Sequence, residues 1–307
     1  MNKLWVIKTM SYHNPVLLSQ SVDSLDIRDN GIYVDMTYGG GGHSREILKK
    51  LGSKGKLIAF DQDLDSQRNI IDDERLFFFR QNNIFLMQTL EYLNVKKVDG
   101  ILADLGVSSH QLDKKSRGFS FQPGYRLDMR MNQKQNIDAI EIINSYSELE
   151  LSNLFFLNGD LKNSKKIAKK ICAERKNKKI VMTNHLNLVL DTFFSEKTKN
   201  SFLARVYQSI RIEVNKELEF LKEILTQSKK LLSKNGIISV ITYHSAEDRL
   251  VKRFFKNGCF NDEPVKDKFG NSLNPFKLKF QFLKPSESEL KLNTRSRSAK
   301  LRSAIKI

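Results

Sequence analysis

Between Asp35 and Ser44 the chain reads DMTYGGGGHS, with four consecutive glycines between an apolar run and a helix-forming stretch. A glycine run costs backbone entropy on folding, so it persists where side chains would obstruct something. A strand pattern, GIYVDM, leads straight into the run. A helical pattern leads straight out: SREILKKLG carries Ile47, Leu48 and Leu51 at helical spacing and stops at Gly52. A flexible linker has no such neighbours. Three more apolar runs follow: GKLIAFDQD, ending in Asp61 and Asp63, RLFFFRQNN, and VDGILADLGVSS, which ends at Asp104. Near-continuous apolar strands separated by helices predict a buried parallel sheet in an α/β fold.

In doubly wound sheets, ligands bind beyond the carboxyl ends of the strands, and the first strand-to-helix turn is glycine-rich so that backbone can approach the ligand. Asp61 ends the second strand about twenty residues after Gly41, where an acid accepts hydrogen bonds from ribose hydroxyls. The pattern predicts an adenosine-type cofactor. No Gly-Lys-Ser/Thr follows the run, so it is not a P-loop. Gly40 and Gly42 fit a dinucleotide fingerprint, but Arg45 stands at its third glycine position, which disfavours NAD. S-adenosylmethionine needs no pyrophosphate cradle, and its sulfonium is cationic. Asp35 and Asp104, ending strands one and four, would give its end of the pocket a negative potential.

The strand–helix alternation then stops. From about Leu112 to Asn215 the patterning is mostly helical; SKKIAKKICAERK sets Ile167, Ala168, Ile171 and Cys172 on one face and basic residues on the other. The sheet pattern resumes after an amphipathic helix with Leu218, Leu221 and Leu225 in register and Gly236 as its stop, followed by the strand GIISVITYHS. The expected organisation is therefore one discontinuous α/β domain, residues 1–111 and 216–307, interrupted by a helical domain at 112–215, within the usual size range.

Lys and Arg number 52 against 35 Asp and Glu, a net charge of +17. That excess fits a polyanionic partner such as nucleic acid, and equally a surface made Lys-rich by biased composition. The two cysteines, Cys172 and Cys259, form no disulfide framework and fit a reducing cytoplasm. Five scattered histidines offer no zinc spacing. No run approaches a membrane span of ~20 apolar residues, and Leu4 to Ile7 is too short for a signal-peptide core. Met10 is an alternative start to Met1.

Several motifs are more specific. HNPVLL (13–18), GGGGHS, DGILADLGVSSHQLD (99–113), RGFSF (117–121), LDMRM (127–131), RIEVNKEL (211–218), YHSAEDRLVKRFF (243–255) and RSRSAKLR (295–302) occur in this order. Together they resemble the bacterial family of small-subunit ribosomal RNA cytosine-N4 methyltransferases, also called the MraW or RsmH family. The resemblance implies a Rossmann-like S-adenosylmethionine-dependent methyltransferase domain with an inserted all-helical domain that recognises RNA. The substrate it implies is the N4 of a decoding-centre cytidine in 16S rRNA. By resemblance the cofactor contacts are Gly41, Gly42, His43, Asp61, Asp104 and Gln111, with a further position after strand three. An aromatic residue is usual there; the register puts Ile84 in its place, beside Phe85. Asp160 stands where Glu is usual, and Ala246 where Leu is usual. The implied partner is small-subunit rRNA, as an assembled 30S subunit, and a homodimer is compatible with the sequence.

The exocyclic amine of cytosine is a poor nucleophile, because its lone pair is delocalised into the ring. An acceptor near N4 would localise that lone pair. Asp104 is the catalytic candidate; the alternative is that it only holds the methionine part of the cofactor. Ser108 and Ser109 are candidate contacts to the base or members of a local turn. His244 is a base contact or a locally bonded histidine. Tyr243 and Phe119 are candidates to stack on a flipped-out base, or core residues. Arg117, Arg126 and Arg130 are phosphate clamps or surface charges. The basic tail from Asn293 is a phosphate contact or a solvated end. Three other functions stay open: a methyltransferase on another nucleic-acid amine, a silent RNA-binding assembly factor, and an NAD-dependent oxidoreductase.

Overall fold

The structure is a computed structural model and describes residues 15–307 apart from residue 108. Both candidate starts, the first residues of HNPVLL and the Ser108 candidate lie outside the described residues.

Seven strands form one sheet: β1 (Ile32–Asp35), β2 (Lys56–Phe60), β3 (Leu76–Phe79), β4 (Val98–Asp104), β5 (Leu232–Thr242), β6 (Phe276–Leu283) and β7 (Lys300–Lys306). Their spatial order is β3-β2-β1-β4-β5-β7-β6. The first five strands are parallel, and β7 runs antiparallel between β5 and β6. Strand residues alternate between the two faces. Tyr33, Leu57, Leu102 and Ile237 face α1 (Leu18–Asp23) and α2 (Gly42–Lys50). Val34, Ile58, Ile101 and Val240 face α3 (Leu86–Tyr92) and two later helices. Both faces are covered, which is why these strands read as unbroken apolar runs.

Between β4 and β5 the chain is helical: α4 (Ser109–Asp113), α5 (Ala139–Ser145), α6 (Glu148–Gly159), α7 (Ser164–Asn177), α8 (Thr183–Val189) and α9 (Lys199–Val214). A boundary drawn after residue 111 would cut α4. Beyond α4 the segment builds a core of its own, with Leu127, Ile143, Phe155, Ile167, Ile171, Leu203 and Ile210 among its buried members. Local signals place these helices. Ser147 and Glu150 form a capping box at the start of α6. In α7, Ile167, Ala168 and Ile171 are buried while Lys165, Lys166 and Lys169 are exposed. Asn215 and Lys216 separate α9 from α10 (Glu217–Leu231); α11 (Ser245–Asn257) and α12 (Glu287–Leu292) follow.

Two sequence expectations are corrected here. The helix before β5 ends at Leu231, not at Gly236, because Leu232 already pairs with Val98 in the sheet and Asn235 makes the turn at φ 65°. The basic tail is not a solvated end. Lys300–Lys306 is an interior strand, and its Arg302 is 5% exposed, with Nε donating to Asp248 Oδ1 at 2.7 Å.

A candidate active site at the ends of the parallel strands

The chain leaves β1 through Met36 to Gly41 and turns into α2. Gly41 sits at φ 74°, in the left-handed region that suits glycine, and a Cβ there would lie 2.6 Å from Tyr38 Oη. A Cβ on Gly42 would lie 2.1 Å from Pro15 Cγ. The glycine run therefore answers to packing as well as to ligand approach. Asp35, 1% exposed, braces the turn by accepting from Ser44 Oγ at 2.7 Å and from the Thr37 N–H at 3.0 Å. Burial pushes its carboxyl above the ordinary range.

Asp61 follows β2. Its Oδ2 accepts from the Gly39 N–H and its Oδ1 from the Asp63 N–H, both at 2.8 Å. Burial raises its pKa to about 6, against the pull of those two bonds. Asp104 ends β4, with its own N–H donating to Thr37 Oγ1 at 2.7 Å. Its Oδ1 accepts from the Tyr243 hydroxyl at 2.7 Å, and its Oδ2 lies 3.8 Å from His43 Nδ1. Burial raises Asp104 to about 6, against the attraction of His43 and the bond from Tyr243. Burial also raises Tyr243 well above 10, so it stays a donor. His43 Nε2 lies 3.2 Å from the Val16 carbonyl oxygen, which only accepts. That contact assigns the ring proton to Nε2 and turns the Nδ1 lone pair of a neutral ring toward Asp104. Burial lowers His43, which favours this neutral form.

Gln111, 5% exposed, donates Nε2–H to Asp63 Oδ2 at 2.7 Å. Arg117 reaches the same oxygen at 3.5 Å and donates to the carbonyls of Arg130 and Met131. It is 4% exposed, so it is an internal brace and not the phosphate clamp or surface charge expected. Arg130 donates to both carboxylate oxygens of Asp128, and Arg126 pairs with Asp138 at 3.4 Å.

These elements enclose a cleft of about 600 Å³, within the range for small-molecule sites. Gly42, His43, Asp61, Asp104 and Gln111 line it. Gly41 and Ile84 are not among the lining residues; Ile84 donates its N–H to Asn82 Oδ1, and it is Asn82 and Asn83 that face the cleft. Gln62, Glu217 and Glu247 line it too, and sequence reasoning did not assign them to the site. Tyr243, a stacking candidate in the sequence, also lines it; it leaves β5 where Asp104 leaves β4, and its hydroxyl is bonded to Asp104. Phe119 does not line the cleft; it is 6% exposed, a core member beneath Arg117.

His244 caps α11, its Nδ1 accepting from the Glu247 N–H at 3.4 Å, so it is locally bonded. Glu217, His244 and Glu247 offer ligand atoms within 4.8 Å of one another. Arg211 already holds both oxygens of Glu217 at 2.9 Å. Burial works to raise Glu247, but His244 and Arg211 outweigh it and hold the carboxyl below its ordinary range. The cluster is thus a charge network with its cation built in. Asp160 and Ala246, two of the three departures from the family pattern, sit at this end of the molecule. Asp160 accepts from Ser245 and pairs with Arg249 at 3.1 Å, tying α6 to α11, while Ala246 is buried.

A parallel sheet closed by an antiparallel hairpin, a glycine turn after the first strand, and buried acids at the strand ends define a Rossmann-like methyltransferase fold. The chain belongs to the MraW methylase family, whose model matches residues 10–307. It is 52% identical over 299 residues to a Flavobacterium johnsoniae protein named ribosomal RNA small subunit methyltransferase H, covering 97% of this chain and 99% of that relative. Proteins of the same name from Christiangramia forsetii and Bacteroides fragilis are 51% and 47% identical, covering 97% and 96% of this chain and 99% and 98% of theirs. A solved rRNA methylase from Streptococcus thermophilus aligns at a TM-score of 0.39 with 12% identity, covering 94% of this chain and 95% of that one, a likeness too distant to add to the strand order. Among the described residues no helix is long and apolar enough to cross a membrane.

Proposed function

We propose that the chain is an S-adenosylmethionine-dependent methyltransferase acting on the exocyclic N4 of a decoding-centre cytidine in 16S rRNA. The RNA substrate is supported by the name borne by relatives of about half identity over almost the whole chain. One observation carries the chemistry: a half-buried carboxylate, Asp104, is fixed by Tyr243 at the end of β4 inside the cleft.

The residues present fit this cofactor. Asp61 and Asp104 are pushed up by burial, and among the described residues neither pairs with a lysine or arginine, so a cationic ligand stabilises their ionised forms. Each oxygen of Asp61 keeps a lone pair for ribose hydroxyls after accepting from Gly39 and Asp63. Gly41, Gly42 and His43 would frame the ligand through the glycine turn, and Gln111 would close the cleft opposite them. After β3, Asn82 and Asn83 would take the contact that the register gave to Ile84. When bound, the cofactor supplies a methyl carbon activated by positive sulfur.

This chain's residues then have two tasks. Holding the base in line with that carbon is worth roughly 7–11 kcal/mol at best. Accepting a hydrogen bond from N4 localises its lone pair and offsets the developing positive charge. Oδ1 of Asp104 is committed to Tyr243, which leaves Oδ2 for the amine. A proton leaving N4 would be held at that Oδ2, which makes no hydrogen bond to His43 Nδ1 at 3.8 Å.

Residues 112–215 form the RNA-recognition unit in this reading, with the exposed lysines of α7 facing the phosphate backbone. The substrate is the assembled 30S subunit, bound by one chain or a homodimer in the cytoplasm. The test is incubation of purified protein with methyl-labelled cofactor and unmethylated small subunits, followed by identification of the labelled nucleoside. Label in N4-methylcytidine is expected. Label in another nucleoside overturns the specificity; none, despite tight subunit binding, leaves a silent assembly factor.

A further inference from the structure

Beside the cleft lies a second hollow that this mechanism does not use. Its volume is about 360 Å³. One wall is the loop from Lys115 to Gln122; the other is α9, through Ala204, Tyr207, Gln208 and Arg211. Positions i, i+3, i+4 and i+7 share one helical face, so a single stripe of α9 looks across at the loop. Ala204, the smallest of the four, leaves the space open. Phe121, partly exposed, packs edge to face on the buried Tyr207 with centroids 6.2 Å apart and supplies an aromatic wall.

Polar groups interrupt that surface. Ser120 Oγ accepts from the Gln122 N–H at 3.3 Å, leaving its own proton to donate. Gln208 gives Nε2–H to the Asn158 carbonyl at 3.2 Å, leaving its Oε1 to accept. Lys115 stands exposed at the rim beside Arg295, which is paired with both carboxylate oxygens of Asp113. Asp113 lines both hollows, and Arg211 of this one holds Glu217 of the other. The two spaces therefore share a wall.

An aromatic wall with a donor and an acceptor inside and the Lys115 ammonium at the rim is the chemistry that receives an unstacked nucleobase and its phosphate. The space suits one nucleotide, at the low end of the ~300–1,000 Å³ typical of small-ligand sites. An acidic peptide would find no uncompensated cation inside, since Arg211 is neutralised by Glu217. We infer that this hollow is a subsite for one nucleotide of the RNA strand neighbouring the target cytidine. The inference rests on the RNA reading above and adds where the flanking strand lies.

The test uses the full chain and two variants, Ala204→Trp to fill the hollow and Lys115→Ala to remove a rim charge. Retention of unmethylated small subunits on filters gives the RNA-side Kd, cofactor titration gives the cofactor Kd, and methyl transfer gives KM and kcat. For Ala204→Trp the expected result is a subunit Kd and KM raised at least tenfold, with kcat and cofactor Kd within twofold of wild type. For Lys115→Ala it is a rise of about threefold and a salt slope shallower by about one. A subunit Kd within twofold of wild type for Ala204→Trp overturns the inference. So does a cofactor Kd that rises in step, which means a damaged shared wall, or a change in sedimenting mass, which means a second copy fills the hollow. Wild-type protein that methylates no RNA defeats the functional reading instead, while filter retention still decides the subsite.

Discussion

The sheet and the helical segment treat their charges in opposite ways. At the strand ends Asp35 is buried and Asp61 and Asp104 are half-buried against neutral donors, with desolvation pushing all three carboxyls up. In the helical segment the carboxylates are matched: Asp128 by Arg130, Asp138 by Arg126 and Asp160 by Arg249. Matched charges hold architecture together. Buried carboxylates without a cation are costly in the free protein, and the cost is recovered when a cationic ligand arrives. In the proposed reading, the comparison separates the part of the molecule that does chemistry from the part that shapes access to it.

The largest expected effect comes where the two parts meet. Arg211 of α9 is buried on Glu217 of α10. Arg211→Met should destabilise the fold by about 3–5 kcal/mol, because it strands Glu217 and weakens the hold on Glu247. Urea unfolding measures this, and an Arg211→Met, Glu217→Gln double variant should recover part of the loss. No loss in the single variant would mean the two parts are not coupled through this pair.

Next, Asp61→Ala should weaken cofactor binding about 10–100-fold, the worth of one or two hydrogen bonds to a charged group. Affinity for small subunits should stay unchanged, as separate cofactor and subunit titrations would show. A parallel loss of subunit affinity would erase the division of labour.

The smallest effect is on pH. Asp61 and Asp104 have free-state values of about 6, and a bound cation lowers them. Cofactor affinity should therefore be constant above about pH 7 and fall as pH drops through 6, by about tenfold per carboxyl between pH 7 and pH 5. Calorimetric titration across that range checks the sign. The same burial has a stability counterpart. A carboxyl raised above its unfolded value keeps its proton longest in the folded state, so the free protein loses stability as pH rises from about 4 to about 6 and is level beyond.

The comparison also explains what the sequence discloses. β1 to β5 are legible because both faces of the sheet are covered, leaving unbroken apolar runs such as GILAD and GIISVIT. β6 and β7 are not. FKLKFQFL alternates apolar and basic residues at an exposed edge, and LRS carries a buried arginine whose charge is neutralised by Asp248, which lies far away in sequence. Asp61 and Asp104 can be found from their strand ends. Glu247 and Glu217 reach the cleft from beyond the helical segment, and a single sequence holds no local mark of that long-range closure. Arg117 shows the reverse error, since a basic residue in a loop reads as surface when its partners are distant carbonyls.

The central claim is that Asp104 serves the reacting amine and does not merely hold the cofactor. Asp104→Asn removes the charge and keeps the shape, so single-turnover methyl transfer at saturating cofactor and small subunits tests it most directly. The account predicts a rate lower by about a hundredfold or more, with cofactor Kd within a few-fold of wild type. A variant that binds cofactor far more weakly, yet transfers methyl at the wild-type rate once saturated, would contradict it.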